Sequence, residues 1–179
     1  MNDLEKVFLS ELKDIYDGEQ QLVQALPRME QSARSGELKR AFREHCDQTK
    51  THVTRLETVF RELGEKPTRK TCKALEGIID EGEMVSKEFQ ENTALDAALI
   101  GAGQKAEHYE ITTYGTLCSW AEELGKNGIA SVLRETLTEE KVTDGKLTQL
   151  AEAGRNREAV GHDTEKKSEL SAKLKKMVS

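Results

Sequence analysis

Apolar side chains recur at alternating steps of three and four residues along four long segments of the chain. The segments run over about 3–33, 37–63, 95–124 and 129–153. Steps of three and four place residues on one face of an α-helix, whereas a half-buried strand alternates apolar and polar residues at a step of two. We find no such alternation, so the pattern predicts an all-α protein built on four amphipathic helices.

The connections between these helices differ in length, and this difference predicts the topology. Ser35-Gly36 and Asn127-Gly128 are short turns, whereas residues 68–92 form a long crossover whose apolar residues suggest a helix of its own. Gly64 and Pro67 end the second helix before this crossover. Two helical hairpins joined by one long connection are typical of the ferritin-like four-helix bundle.

The same pattern predicts the domain organisation. Residues 1–155 are expected to form the bundle, and Pro27 is expected to kink the first helix or loosen its last turns. The pattern breaks from Gly154 to Gly161. Residues 156–179 are therefore predicted to hold a linker and an amphipathic, lysine-rich tail helix.

Composition narrows the classes of function. Charged residues make up 34% of the 179 residues and aromatic residues 4%, which is typical of long solvated helices. A net charge of −6 argues against nucleic acid as a partner, since phosphate neutralisation requires a basic surface. No signal-peptide core or apolar run long enough to span a membrane is present, so we expect a cytoplasmic protein without a membrane partner. Three widely separated cysteines indicate neither a disulfide framework nor a zinc ribbon.

Each apolar stripe is interrupted about halfway along its helix by a polar residue. These residues are Glu19, His52, Glu110 and Glu140. A carboxylate on a buried face is costly unless its charge is compensated, and a polyvalent cation compensates several carboxylates at once. The four interruptions therefore predict a metal site inside the bundle.

The spacing of these residues places them at one height. Residues equally far from a hairpin turn lie level, because each helical residue rises ~1.5 Å. Glu19 lies 16 residues before Ser35 and His52 lies 17 after it. Glu110 lies 17 residues before the second turn, and Glu140 lies within one helical turn of the matching level.

Two further carboxylates are expected to reach the same layer. Glu107 lies one turn from Glu110, and Asp144 lies four residues after Glu140. His45, in contrast, lies seven residues from His52, or about 10.5 Å along the helix. The two metals of a dinuclear centre are only ~3.5–4 Å apart, so we interpret His45 as a core histidine or a neighbour of the ligands.

Two interpretations of these polar residues remain open. The buried carboxylates could pair with basic or hydroxyl side chains and only fix the register of the helices. Alternatively, they bind metal, and a set of carboxylates with one imidazole suits iron or manganese better than structural zinc. Contributions from four helices at one height favour the metal.

Four segments of the chain resemble the YciF-like family of bacterial ferritin-like stress proteins. Residues 96–117, which include Glu107 and Glu110, look like the hallmark segment of that family, and residues 12–22, 48–60 and 139–144 support the resemblance. It implies a ferritin-like bundle that forms a homodimer and holds a di-metal centre of iron or manganese.

The sequence departs from the di-iron pattern of ferritin-like proteins, in which Glu-x-x-His occurs on two helices. Here the motifs read Thr49-x-x-His52 and Glu140-x-x-Thr143, so each is half present. The candidate metal ligands are Glu19, His52, Glu107, Glu110, Glu140 and Asp144. Two functions follow: a di-metal protein with redox, oxygen or peroxide chemistry, or a non-catalytic stress protein acting through dimerisation or partner binding.

Overall fold

The computed structural model describes residues 1–161, and its regular secondary structure within that range is entirely helical. The helices are α1 (Asp3–Ser32), α2 (Gly36–Glu62), α3 (Lys73–Glu88), α4 (Leu95–Glu123) and α5 (Asn127–Leu150), followed by a π-helical turn (Ala151–Arg155) and the short α6 (Asn156–Ala159). Helices α1 and α2 form one hairpin and α4 and α5 the other, and α2 packs against α5 while α1 packs against α4. The predicted ferritin-like four-helix bundle is confirmed.

The crossover contains a helix, as its apolar spacing predicts. This helix, α3, packs against α4 and α1 on the outside of the bundle. Asp17 holds the start of the crossover against α1, because its carboxylate accepts hydrogen bonds from Cys72 N at 2.9 Å and Arg69 Nε at 2.6 Å. Asp96 at the start of α4 likewise accepts from the backbone N–H groups of Arg34 and Ser35, both at 2.7 Å. The two carboxylates thus fix the relative heights of the hairpins.

The predicted kink at Pro27 does not interrupt α1, which continues to Ser32. Proline has no N–H group, so the carbonyl four residues earlier loses its helical donor. That carbonyl belongs to Val23, and the Cys46 thiol of α2 lies 3.7 Å from it and donates a weak hydrogen bond. The Cys46 thiol therefore replaces part of the hydrogen bond that the Val23 carbonyl loses to the proline.

The predicted break at Gly154 is wrong, because the chain remains helical as far as Ala159. Gly154 lies buried in the π-helical turn, which packs against α4. Glycine in a helix costs only about 1 kcal/mol relative to alanine, which such packing can offset. The predicted tail helix and its lysines fall within residues 162–179, outside the described residues. Within residues 1–161, no helix is both long enough and apolar enough to cross a membrane.

Candidate metal centre

Six polar side chains meet in the middle of the bundle, and all are almost completely buried. They form what we call the buried cluster: Glu19 of α1, His45 and His52 of α2, Glu107 and Glu110 of α4, and Glu140 of α5. Four helices contribute at one height because the helical spacing aligns these residues with the apolar stripes. Because these side chains have almost no exposed surface, their charges must be compensated mainly within the cluster.

The cluster consists of two groups that share Glu140. In the first, ligand atoms of His45, Glu107, Glu110 and Glu140 all lie within 4.8 Å of one another. In the second, ligand atoms of Glu19, His52 and Glu140 do the same. Donors bind iron or manganese at about 2.0–2.2 Å, so each group needs only small side-chain adjustments to surround one ion.

His52 faces the cluster with one ring nitrogen and the outer part of α5 with the other. Its Nδ1 lies 2.8 Å from Glu140 Oε1 and 3.6 Å from Glu19 Oε1. Its Nε2 lies 2.8 Å from Glu139 Oε2. Metal-binding histidines commonly donate their second N–H to a carboxylate, which fixes the tautomer and the ring orientation. Glu139 therefore leaves Nδ1 as the nitrogen available to a metal.

The cluster is not satisfied by its own hydrogen bonds. Within residues 1–161, nine buried side-chain nitrogen and oxygen atoms lack a hydrogen-bond partner, and all nine belong to the six residues of the cluster. They include both oxygens of Glu110 and of Glu140. The 2.9 Å contact between His45 Nε2 and Glu107 Oε1 is close but lacks hydrogen-bond geometry. Buried polar atoms normally have a hydrogen-bond partner. Unpaired nitrogen and oxygen atoms grouped around two centres therefore fit a pair of metal ions better than a hydrogen-bonded network.

The acid–base properties of the cluster reflect its burial. Burial, together with the carboxylates of Glu140 and Glu19, raises the pKa of Glu110 well above its usual range. Burial also raises the pKa of Glu107 to about 7, although His45 opposes the shift. Burial alone would lower the pKa of His52, but the contacts with Glu140 and Glu19 outweigh it and raise the value to about 10. In the metal-free protein the cluster thus holds protons in the place of cations.

Five of the six residues predicted as metal ligands come together in the cluster, and Asp144 does not. Asp144 is partly exposed, and its carboxylate accepts a hydrogen bond from Gln104 Nε2 at 3.0 Å and lies 3.4 Å from His108 Nε2. Asp144 lies about one helical turn after Glu140, on the same side of α5. Its carboxylate contacts residues at the exposed edge of α4 instead of the buried cluster. Its place in the cluster is taken by His45.

The structure places His45 among the candidate ligands, whereas the backbone rise predicts a core histidine or a neighbour of the ligands. The distance of about 10.5 Å separates backbone positions on the helix. Imidazole rings extend away from the backbone and can lean along the helix axis, so His45 and His52 both belong to groups that share Glu140. The rise of about 10.5 Å between the two residues therefore does not keep His45 out of the cluster.

Three supporting residues were not predicted. Arg55 forms an ion pair with Glu139 and lies 3.3 Å from Thr136 Oγ1, so it holds Glu139 against His52. Tyr114, which is fully buried, donates a hydrogen bond from its hydroxyl to Glu19 Oε1. Tyr114 lies four residues after Glu110 on the same face of α4 and carries a hydroxyl at an otherwise apolar position. This combination is the sequence signal that could have identified it.

The donor set resembles that of the di-iron carboxylate proteins in number but differs in its distribution. Those proteins supply four glutamates and two histidines, with one histidine on each of two helices. Here four glutamates and two histidines are also present, but both histidines lie on α2 and two glutamates lie on α4. His45 and Glu107 thus replace the missing halves of the two motifs.

Two helical hairpins joined by a crossover helix, around a buried set of carboxylates and imidazoles, define a ferritin-like protein. The chain belongs to the YciF-like family, because residues 3–160 match the family model described as "Domain of unknown function (DUF892)". Protein YciF of Escherichia coli K12 is 42% identical over 160 residues, which cover 89% of this chain and 96% of that protein.

Solved structures agree with this assignment. The structure described as the E. coli stress protein YciF matches with a TM-score of 0.81 and 43% identity, over 84% of this chain and 96% of that chain. YcfI from Rhodopseudomonas palustris matches with a TM-score of 0.79 and 40% identity, over 82% of this chain and 94% of that chain. The predicted family is therefore confirmed.

Proposed function

We propose that this protein binds a pair of iron or manganese ions in the buried cluster and acts in the bacterial stress response. The observation that carries the proposal is the set of nine orphaned donor atoms, all on six residues grouped around two centres. Four buried carboxylates and two imidazoles form an oxygen-rich donor set that suits iron or manganese. When bound, such a pair would supply redox chemistry towards oxygen or peroxide.

The residues of the cluster would have distinct roles. Glu140 belongs to both groups, so it would help to hold both ions. Glu19 and His52 would hold one ion, and His45, Glu107 and Glu110 the other. Glu139 and Tyr114 would orient His52 and Glu19 from outside the cluster.

The biological setting rests on the relatives. E. coli YciF is described as a stress protein, and the high identity to it supports a stress role here. We also propose that the protein is cytoplasmic, and that it forms a homodimer, which the family resemblance implies.

Metal analysis of the full chain tests this proposal. The protein is purified without chelators, and bound metals are measured by mass spectrometry. We expect about two ions of iron or manganese per chain, and a large loss in Glu140→Gln. Glu135→Gln, on an exposed part of the same helix, should retain the metal. A protein that binds neither metal, after incubation with each, would support the alternative of a non-catalytic helical stress protein.

A further inference from the structure

A cavity of about 810 Å³ opens between α1, α2, α3 and α4. More than half of its wall is apolar, with contributions from Leu26, Met29, Phe42, Ile78, Ile79 and Ala102. Pockets of roughly 300–1,000 Å³ with such walls accommodate small organic molecules. The volume is far more than oxygen, peroxide or a metal ion requires.

The inner end of the cavity reaches the buried cluster. His45 and Glu107 both line it, and they belong to the same group of candidate ligands. Along α4 the lining extends from Leu95 to Glu107, twelve residues or about 18 Å of helix. The cavity is therefore long enough for an extended aliphatic chain whose far end would lie beside His45.

The outer end of the cavity is basic. Its charged lining residues, which we call the rim, are Arg28, Arg34, Lys39, Lys87, Glu83 and Glu91, of which four are basic and two acidic. Arg28 is paired with Glu83 at 2.8 Å, and Arg34 donates to the carbonyl of Gln90 at 2.6 Å. Among the described residues, Lys39 and Lys87 have no ion-pair partner. A basic rim on a chain whose net charge is −6 favours a ligand with an anionic head.

We propose that this cavity binds a straight-chain aliphatic carboxylate, with the carboxylate at Lys39 and Lys87 and the end of the chain against His45 and Glu107. The apolar walls bury the chain, and burial of each CH₂ group contributes about 0.8 kcal/mol. The two unpaired lysines supply the charge for the head group. If the proposed function holds, the bound chain is the organic substrate presented to the metal pair, but binding itself requires no metal.

Calorimetric titration of the full chain with dodecanoate, below its micelle concentration, tests this proposal. We expect saturable binding of one dodecanoate per chain, and binding at least about tenfold weaker for butanoate and for the dodecyltrimethylammonium cation. Ala102→Leu, which fills the cavity, should weaken dodecanoate binding at least about tenfold. Ala41→Leu is the matched control, because Ala41 is similarly buried but does not line this cavity. It lines a smaller cavity of about 290 Å³ between α2 and α5, which shares only His45 with the first.

A second variant avoids any effect on folding. Lys39 and Lys87 are at the surface, so the double variant Lys39→Gln/Lys87→Gln should fold normally, weaken dodecanoate and leave the weak binding of the cation unchanged or improved. Absence of saturable dodecanoate binding would overturn the proposal, as would equal binding by the cation. Metal content measured on the same samples separates the two proposals, since dodecanoate should also bind the chelator-treated protein.

Discussion

Both oxygens of Glu110 lack a hydrogen-bond partner among the described residues, and Glu110 has no ion-pair contact with a histidine. The other three carboxylates of the buried cluster, those of Glu19, Glu107 and Glu140, each have such a contact. Glu107, one turn away, contacts His45 through one oxygen at 2.9 Å. We therefore predict that Glu110→Gln loses more bound metal than Glu107→Gln, because a neutral amide is a weak ligand. Metal titration of both variants, followed by mass spectrometry, measures the order.

The fold should survive the Glu110→Gln substitution. Burial and the neighbouring carboxylates raise the pKa of Glu110 well above its usual range, so the metal-free protein holds it in the neutral form that an amide imitates. We expect the melting temperature in chelator to stay close to that of the unmodified protein. The reverse order of metal loss would place Glu107 at the centre of the site and Glu110 beside it.

Glu139 contacts the buried cluster through His52, so its proposed role can be separated from that of the candidate ligands. Its carboxylate lies 2.8 Å from His52 Nε2 and pairs with Arg55. Glu139→Gln should lower the affinity for metal by about 10–100-fold, the usual effect of removing a carboxylate behind a metal-binding histidine. Competition with a metal-sensitive dye measures this affinity.

Glu135→Gln is the control for Glu139→Gln. Glu135 lies one turn earlier on α5 and contacts the same arginine, Arg55, at 3.7 Å, but it is exposed and has no contact with His52. Equal losses of affinity in the two variants would mean that the effect comes from Arg55 rather than from the orientation of His52.

The sequence predicts the residues of the buried cluster that interrupt an apolar stripe at the matching height. It does not predict residues whose place in the cluster depends on the direction of the side chain. Glu19, His52, Glu110 and Glu140 follow from helical periodicity alone. His45 does not, because the direction of its ring is set by packing. Glu139 lies beside the stripe of α5, so periodicity alone gives it a surface role.

At the scale of elements, the packing of α3 on α1 depends on a glycine. A Cβ atom at Gly18 would lie 2.4 Å from Leu75 Cδ1 and 3.5 Å from Cys72 Sγ. Leu75 is fully buried and has little room to move. Gly18→Ala should therefore destabilise the protein by about 1–3 kcal/mol, as overpacking of a core does. Urea denaturation measures the free energy of unfolding.

For Gly77, on α3, we expect the opposite effect of an alanine substitution on stability. It lies on the exposed side of α3, and a Cβ atom there would have no neighbour within 4 Å. Gly77→Ala should stabilise the protein by about 0.5–1 kcal/mol, because alanine has the higher helix propensity. If Gly18→Ala also stabilised the protein, α3 would not be held against α1 as closely as described.

The helices themselves were predictable from local signals, and the exceptions arise from tertiary contacts. Gly64 and Gly125 end α2 and α4 with positive φ angles of 72° and 70°, as expected of helix C-terminal glycines. By the same local rules, Pro27 was expected to kink α1 or loosen its last turns, and Gly154 to end the helical pattern. The contacts of α1 with α2, and of the π-helical turn with α4, outweigh those local preferences.

At the scale of the whole molecule, the proposed binding of metal in the buried cluster would be coupled to folding. A ligand that binds only the folded state stabilises it by about 2.7 kcal/mol at a hundredfold excess over its dissociation constant. For a chain of this length that corresponds to roughly 5–10 °C in melting temperature. We therefore predict that the protein melts at a higher temperature in manganese than in chelator.

Glu140 decides how large this difference is, because it is the one residue that both ligand groups share. In Glu140→Gln the rise in melting temperature between chelator and manganese should shrink to a small fraction of that in the unmodified protein, whereas Glu135→Gln should keep the full rise. Each variant is compared with itself in the two buffers, so any effect of the substitution on the metal-free fold cancels. An undiminished rise in Glu140→Gln would show that the stabilising ions bind elsewhere, and the orphaned donors of the cluster would then have to be satisfied by protons and hydrogen bonds alone.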